Sequence, residues 1–217
     1  MGSTNLFAKQ DLILRNRRLS AYGLISLSRG ALVVSMMMLA VAPWFVPDTY
    51  SVVAHTLSES GGQGVDGAWV FRLGLIFAAS AVVTITSTAR AVWSPTARWW
   101  MNTYAFGVVL LAIFPESPFD PGPYNEMVQT LHTASGAIAA IAFILGIATV
   151  SISRPHRETW TRAFDWIVIA AVAVIPQVML VVTYPGALQR AMVFLGYVWL
   201  LIETMRIARQ NRATSLT

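Results

Sequence analysis

The chain has 217 residues, 56% of them apolar and only 12% charged, about half the ~25% charged share of a soluble domain. A globule of this length cannot hide that much apolar surface, so lipid is the solvent for much of the chain. Intrinsic disorder is excluded, and the absence of Cys removes disulfide scaffolds, thiolate nucleophiles, Cys-ligated zinc and iron–sulfur clusters. The net charge of +5 reads first as membrane topology rather than as nucleic-acid binding.

Spanning hydrocarbon takes ~20 predominantly apolar residues, and six stretches qualify. In chain order they run from about Gly30 to Val46 (or from Ala21), Val70 to Ala89, Met101 to Pro115, Leu131 to Ile152, Ala163 to Thr183 and Ala187 to Met205. Strand-like alternation is absent and each run exceeds the ~10 residues of a barrel strand, so all six are expected to be helices. The expected fold is therefore all-α: an integral membrane bundle of six transmembrane helices over residues 21–206. A basic cytoplasmic segment (1–20) precedes it and a polar cytoplasmic tail (207–217) follows.

Charge sets the orientation. With six spans and the N-terminus inside, the inner side holds Lys9, Arg15, Arg17, Arg18, Arg90, Arg98, Arg154, Arg157, Arg162, Arg206, Arg209 and Arg212, or 12 of the 15 basic residues. The outer side holds Asp48, Glu59, Asp66, Glu116, Asp120 and Glu126, or 6 of the 10 acids. The positive-inside rule expects this split, N-in/C-in, and five or seven spans would break it. Ala40-Val41-Ala42 imitates a signal-peptide cleavage box, but Pro43 would be the new first residue, so an uncleaved first span is the better expectation. Residues 10–22 are weakly amphipathic and basic, which suits the inner leaflet. The two longer loops, about 47–69 and 116–130, are both on the outer side.

Those outer segments carry a likeness. Asp48-Thr-Tyr-Ser-Val-Val-Ala-His-Thr-Leu-Ser-Glu-Ser60 before the span that begins Val70-Phe-Arg-Leu-Gly74, Phe114-Pro-Glu116 before Leu131-His132-Thr133, and Gly186-Ala-Leu-Gln-Arg190 leading to Trp199 together resemble the small polytopic membrane proteins catalogued as domain of unknown function 998. The resemblance runs from about Tyr50 to Trp199. It implies a six-helix membrane bundle and no assigned activity.

The candidate binding residues cluster at the outer mouths. His132, Arg72 and Arg190 sit at span ends, with Glu59 and His55 in the first outer loop and Glu116 and Asp120 in the second. They line one polar vestibule for an anionic headgroup, or else Arg72 and Arg190 are anchors paired with Glu59 or Glu116. The catalytic candidates are His132, Glu116 and Glu59, with His132 as acid/base on an outer-leaflet lipid. A two-His, one-carboxylate metal set from His55, His132 and Glu59, Glu116 or Asp120 lacks preformed helical spacing, and His156 falls on the other side. A haem lacks facing His pairs, and Ser51, Ser58 and Ser60 lack a nucleophile elbow. Neither metal nor cofactor is expected.

On the inner side, Arg29, Glu203 and Asp165 are each costly to bury alone, so Arg29 is expected to pair with Glu203 or Asp165, or else Glu203 with Arg206. Pro176-Gln177 predicts a kink in span five. The stripe His132, Ser135, Ala139, Ala142, Gly146 predicts close helix packing, and the Met and Trp residues predict core filler and interfacial belts. The functional expectation is a bundle of a bacterial or archaeal plasma membrane that binds a lipid headgroup, a partner membrane protein or a second copy of itself. An outer-leaflet lipid enzyme is the alternative, and a transporter the weaker one for want of midplane polar groups. Nucleic acid fits poorly, because the Arg residues hug the span ends.

Overall fold

A computed structural model of the chain describes residues 3–154 and 158–213, with side chains from Tyr22 onward. His156 and Arg157 of the inner loop, the side chains of Lys9, Arg15, Arg17 and Arg18, and residues 214–217 lie outside the described residues. Six α-helices and two 3-10 turns make up the regular structure: α1 Ser3–Val41, α2 Trp69–Thr88, α3 Pro95–Ile113, α4 Glu126–Ile152, α5 Thr159–Met179 and α6 Pro185–Ala213. Among the described residues five helical segments are long and apolar enough to cross a membrane: Tyr22–Trp44, which runs from α1 into the 3-10 turn after it, and α2, α4, α5 and α6. The protein is thus an all-helical, multi-pass membrane protein.

Several helix ends differ from the sequence expectation, and caps explain two of them. Ser94 accepts a hydrogen bond from the Ala97 amide and Pro95 opens α3, so that helix starts six residues before Met101. Asn125 accepts from the Val128 amide, which starts α4 before Leu131 and shortens the second outer loop. α1 is continuous from Ser3 to Val41, with no break between the basic segment and the span. α6 continues past Met205 to Ala213.

The helices form a closed ring. Each packs against its neighbour in sequence and α6 returns to α1. α3 and α4 approach closely: a Cβ on Gly107 would lie 2.9 Å from the Ala139 backbone nitrogen. Ala139 and Gly146 belong to the small-residue stripe of α4. Met101 fills the space at Gly146, and His132 at the other end of α4 meets the carbonyl of Phe114 at 2.7 Å. These three contacts set α3 antiparallel to α4 along its whole length, although polar residues such as Arg98 and Asn102 lower its hydropathy.

The end of the ring where α4 stops, called inner for the side its charge pattern predicts, is filled by charge. Arg154, just beyond α4, is 4% exposed, and Asp165 and Glu203 are fully buried. The guanidinium binds Asp165 through two hydrogen bonds, Nε to Oδ2 at 2.6 Å and Nη2 to Oδ1 at 2.9 Å. Nη2 also donates to Glu203 at 2.6 Å. Trp199 donates to Asp165 at 2.7 Å and Trp93 to Glu203 at 3.1 Å. Arg206 joins Glu203 to Glu158 at the rim.

The expected pairing of Arg29 with Glu203 or Asp165 is corrected here. Arg29 donates to the side chain and carbonyl of Thr204, at 2.9 and 3.0 Å. Consecutive helical residues point ~100° apart, so Glu203 faces the ring interior while Thr204 faces α1. Arg154, which reads in sequence as one more topological charge, is the cation that both acids need.

Removing Arg154 leaves buried Asp165 without a basic partner among the described residues and Glu203 with only the longer contact to Arg206, at 3.4 Å. Arg154→Ala is expected to lower stability by about 3–5 kcal/mol, against ~1 kcal/mol for Arg29→Ala, which removes hydrogen bonds to neutral groups. Thermal unfolding in detergent checks both. In double-mutant cycles Arg154 and Asp165 should be strongly non-additive, whereas Arg29 and Glu203 should add.

Candidate functional site

The outer half of the ring is hollow and roofed. Both long loops knit into one cap, because irregular backbone at the membrane surface must have its polar groups satisfied. Arg190 on α6 donates to the carbonyls of Val52 (2.7 Å), His55 (3.1 Å) and Gly186 (3.0 Å) and to the Tyr50 hydroxyl. A Cβ on Gly186 would fall 2.0 Å from the His55 carbonyl oxygen, so only glycine lets this loop lie on the start of α6. The Gln189 side-chain oxygen accepts from the amides of Leu57 and Ser58 at 2.5 and 3.2 Å. Arg72 on α2 donates to the carbonyls of Gly61 and Gly62.

Two further features join the loops. The Gln63 amide donates to the Glu116 carbonyl at 2.8 Å, while its side chain exchanges hydrogen bonds with the Asn125 backbone. Tyr50, His55 and Phe119 stack with ring centroids 5.1–5.4 Å apart.

The expected single vestibule therefore divides into two sets. Arg72, Arg190, Glu59, His55 and Asp120 belong to the cap. Glu59 caps the Thr56 amide, His55 Nδ1 accepts from the Ser51 amide, and Asp120 accepts from Thr49 at 2.9 Å. Nor do Arg72 and Arg190 pair with Glu59 or Glu116: their donors serve loop carbonyls, the greater need at this depth. Ser51, Ser58 and Ser60 all bond within the cap or to Gln189. Among the described residues no group of three or more His, Asp or Glu is placed to hold a metal ion.

His132 and Glu116 form the other set. They line a cavity of about 460 Å³, within the range of small-molecule sites. Every helix contributes to its wall, including Leu39, Phe71, Val108, Phe143, Val172, Pro176 and Val193. Thr56, Ser58, Gln189 and Thr133 join the histidine and glutamate around the outer end, with Tyr104 and Tyr197 deeper. Among the described residues no Arg or Lys lines it.

The pair has defined chemistry. His132 Nδ1 faces the Phe114 carbonyl, which only accepts, so Nδ1 carries a proton. Nε2 lies 3.1 Å from Glu116 Oε2, and one further proton must sit between them. The pair is thus imidazolium with carboxylate, or imidazole with carboxylic acid. Gln129 donates to the other carboxyl oxygen at 3.1 Å and accepts from the Ser117 amide. Burial pushes the Glu116 carboxyl up, but the hydrogen bonds and charge of His132 and the Gln129 amide outweigh it, leaving the carboxyl below its ordinary value. Because the folded value is the lower one, the Glu116 contribution to stability is full above the ordinary carboxylate range. It is lost as pH falls through the depressed value. Melting temperature followed from neutral pH downward should fall more steeply in the wild type than in Glu116→Gln.

No curated protein and no solved structure matches the chain. A family model described as a protein of unknown function, DUF998, matches residues 30–205, from the buried part of α1 to the inner end of α6. That stretch takes in the cap, the cavity and both acids of the inner cluster, and the chain belongs to the DUF998 family.

Proposed function

We propose that the protein crosses the plasma membrane six times with both termini inside, and that its cavity receives a chain-bearing amphiphile whose uncharged, hydrogen-bonding head rests at the outer end. One observation carries this: a hollow of about 460 Å³ with apolar walls and a rim of hydroxyl, amide, imidazole and carboxyl groups that, among the described residues, includes no Arg or Lys. An anionic head would meet Glu116 with no fixed cation beside it except a protonated His132, which argues against the phosphate-bearing ligand that Arg72 and Arg190 first imply. The hollow is partly open to its surroundings rather than a sealed void, so it can be filled from outside. Its apolar walls disfavour water as the filling. The lipid chains around the bundle are the abundant alternative.

The helix packing supports the sixth span, because α3 lies antiparallel to α4 from end to end. Charge supports the orientation, since the cap is the acidic face. An acid–base role for His132 is the weaker reading, as both ring nitrogens are already engaged.

Protein in lipid nanodiscs should bind a radiolabelled monoacylglycerol about tenfold more tightly than a lysophosphatidic acid of the same chain. Equal or reversed affinities would refute the uncharged-head reading. A Cβ on Gly136 has only Leu111 nearby, at 3.8 Å, so Gly136→Phe projects a ring into the cavity. It should abolish binding while leaving the melting temperature within a few degrees. For the orientation, a reporter active only outside the cytoplasm, fused after Thr217, should be silent. Activity there would overturn N-in/C-in.

A further inference from the structure

One group in the cavity is left over. The other polar side chains that line it have protein partners: Glu116 and His132 each other, Gln189 and Ser58 each other. Thr133 donates to the Gln129 carbonyl, the Thr56 hydroxyl accepts from the Glu59 amide, and Tyr197 shares a 2.5 Å hydrogen bond with Ser35. Tyr104 is different. Among the described residues nothing hydrogen-bonds its hydroxyl, and it is not one of the fully buried, unpartnered polar atoms. The hydroxyl therefore opens onto the space its residue lines.

Its place in the fold is deep. The Tyr104 ring packs on Phe143 with centroids 4.6 Å apart, and Phe143 stands eleven residues along α4 from His132, roughly 16 Å by helical rise. Tyr104 is halfway along α3. A phenol held there without a partner loses hydrogen bonding that it has in water. A purely hydrocarbon tail would leave that loss in place.

Resting on the cavity reading above, we infer that the occupant is polar at two points: a head at the His132–Glu116 end, and a hydroxyl or carbonyl about 16 Å further in that bonds Tyr104. Tyr104 is then the residue that selects a functionalised chain over a plain one. Tyr197 lines the same space, but its hydroxyl is already held by Ser35. Sites built to bond a polar group discriminate against ligands that lack it, because their own group is left unpaired.

The test compares two monoacylglycerols of equal chain length, one with a plain chain and one with a mid-chain hydroxyl, by equilibrium binding to the full-length protein in nanodiscs. The hydroxylated probe should bind roughly 2–10-fold more tightly, the range that one net hydrogen bond supplies. In Tyr104→Phe the two affinities should converge through loss of the hydroxylated probe's advantage. Equal affinities in the wild type would overturn the inference and point to a water on Tyr104, and that comparison needs no variant to fold. A preference that survives Tyr104→Phe would overturn it too. If neither probe binds, the cavity reading itself falls and takes this one with it.

Discussion

The bundle depends on one guanidinium. Arg154 is fixed by two bonds to Asp165 on α5 and a third to Glu203 on α6, so a single side chain just beyond α4 ties three helices together. Without it, Asp165 would sit uncompensated where water does not reach and Glu203 would keep only Arg206 at 3.4 Å, a cost of several kcal/mol. The cluster is also directional. A guanidinium presents its donors in a plane, and Trp93 and Trp199 supply the remaining ones to the carboxylates. Lysine, with one point charge, could not hold both acids in the same geometry. The ring of helices can close only with α5 and α6 in register with the end of α4.

The same requirement, that no polar group be left bare near lipid, shapes the opposite end by other means. There the problem is loop backbone rather than side-chain charge. Arg72 and Arg190 spend their donors on carbonyls of the first outer loop, and Gln63 and Gln189 serve its amides and those of the second. Basic residues at the outer mouths are thus part of the roof, which is why they are unavailable to a ligand. What remains facing the hollow is uncharged apart from the His132–Glu116 pair. The polarity of the site is in this sense a remainder, set by what the cap has already consumed.

How much of this is legible in the sequence follows from the range of each interaction. Span positions and the small-residue stripe depend on local composition, and α2 and α4 appear close to where hydropathy puts them. The start of α3 was obscured because Arg98, Trp99, Trp100 and Asn102 read as interface, whereas the cap at Ser94 fixes it. His132 and Glu116 were identifiable as neighbours because each sits at an outer helix end, but the choice between Glu116 and Glu59 needed the fold. Arg154 was hidden for a different reason. Its position after an apolar run fits the positive-inside rule so well that nothing in the sequence separates a topological charge from a buried one. The depth and apolar walls of the cavity were not legible, since they arise from where α5 and α6 stand relative to α4.

The two halves of the ring are joined by stacked rings. Phe143 is part of the cavity wall and lies edge-on to Trp199 at 5.7 Å, Trp199 stacks on Trp93 at 6.1 Å, and their indoles bond Asp165 and Glu203. The floor of the hollow is therefore the ceiling of the charge cluster. That division explains how a bundle with a large void keeps its shape. Aromatic side chains seal the inner half against water, which keeps the local dielectric low and the Arg154 bonds strong. Those bonds in turn hold the inner halves of α4, α5 and α6 together, leaving their outer halves free to stand apart. Pro176, inside α5 and on the cavity wall, removes one backbone hydrogen bond where the helix borders the hollow. Close packing on the inner side is thus what allows the outer side to be a site.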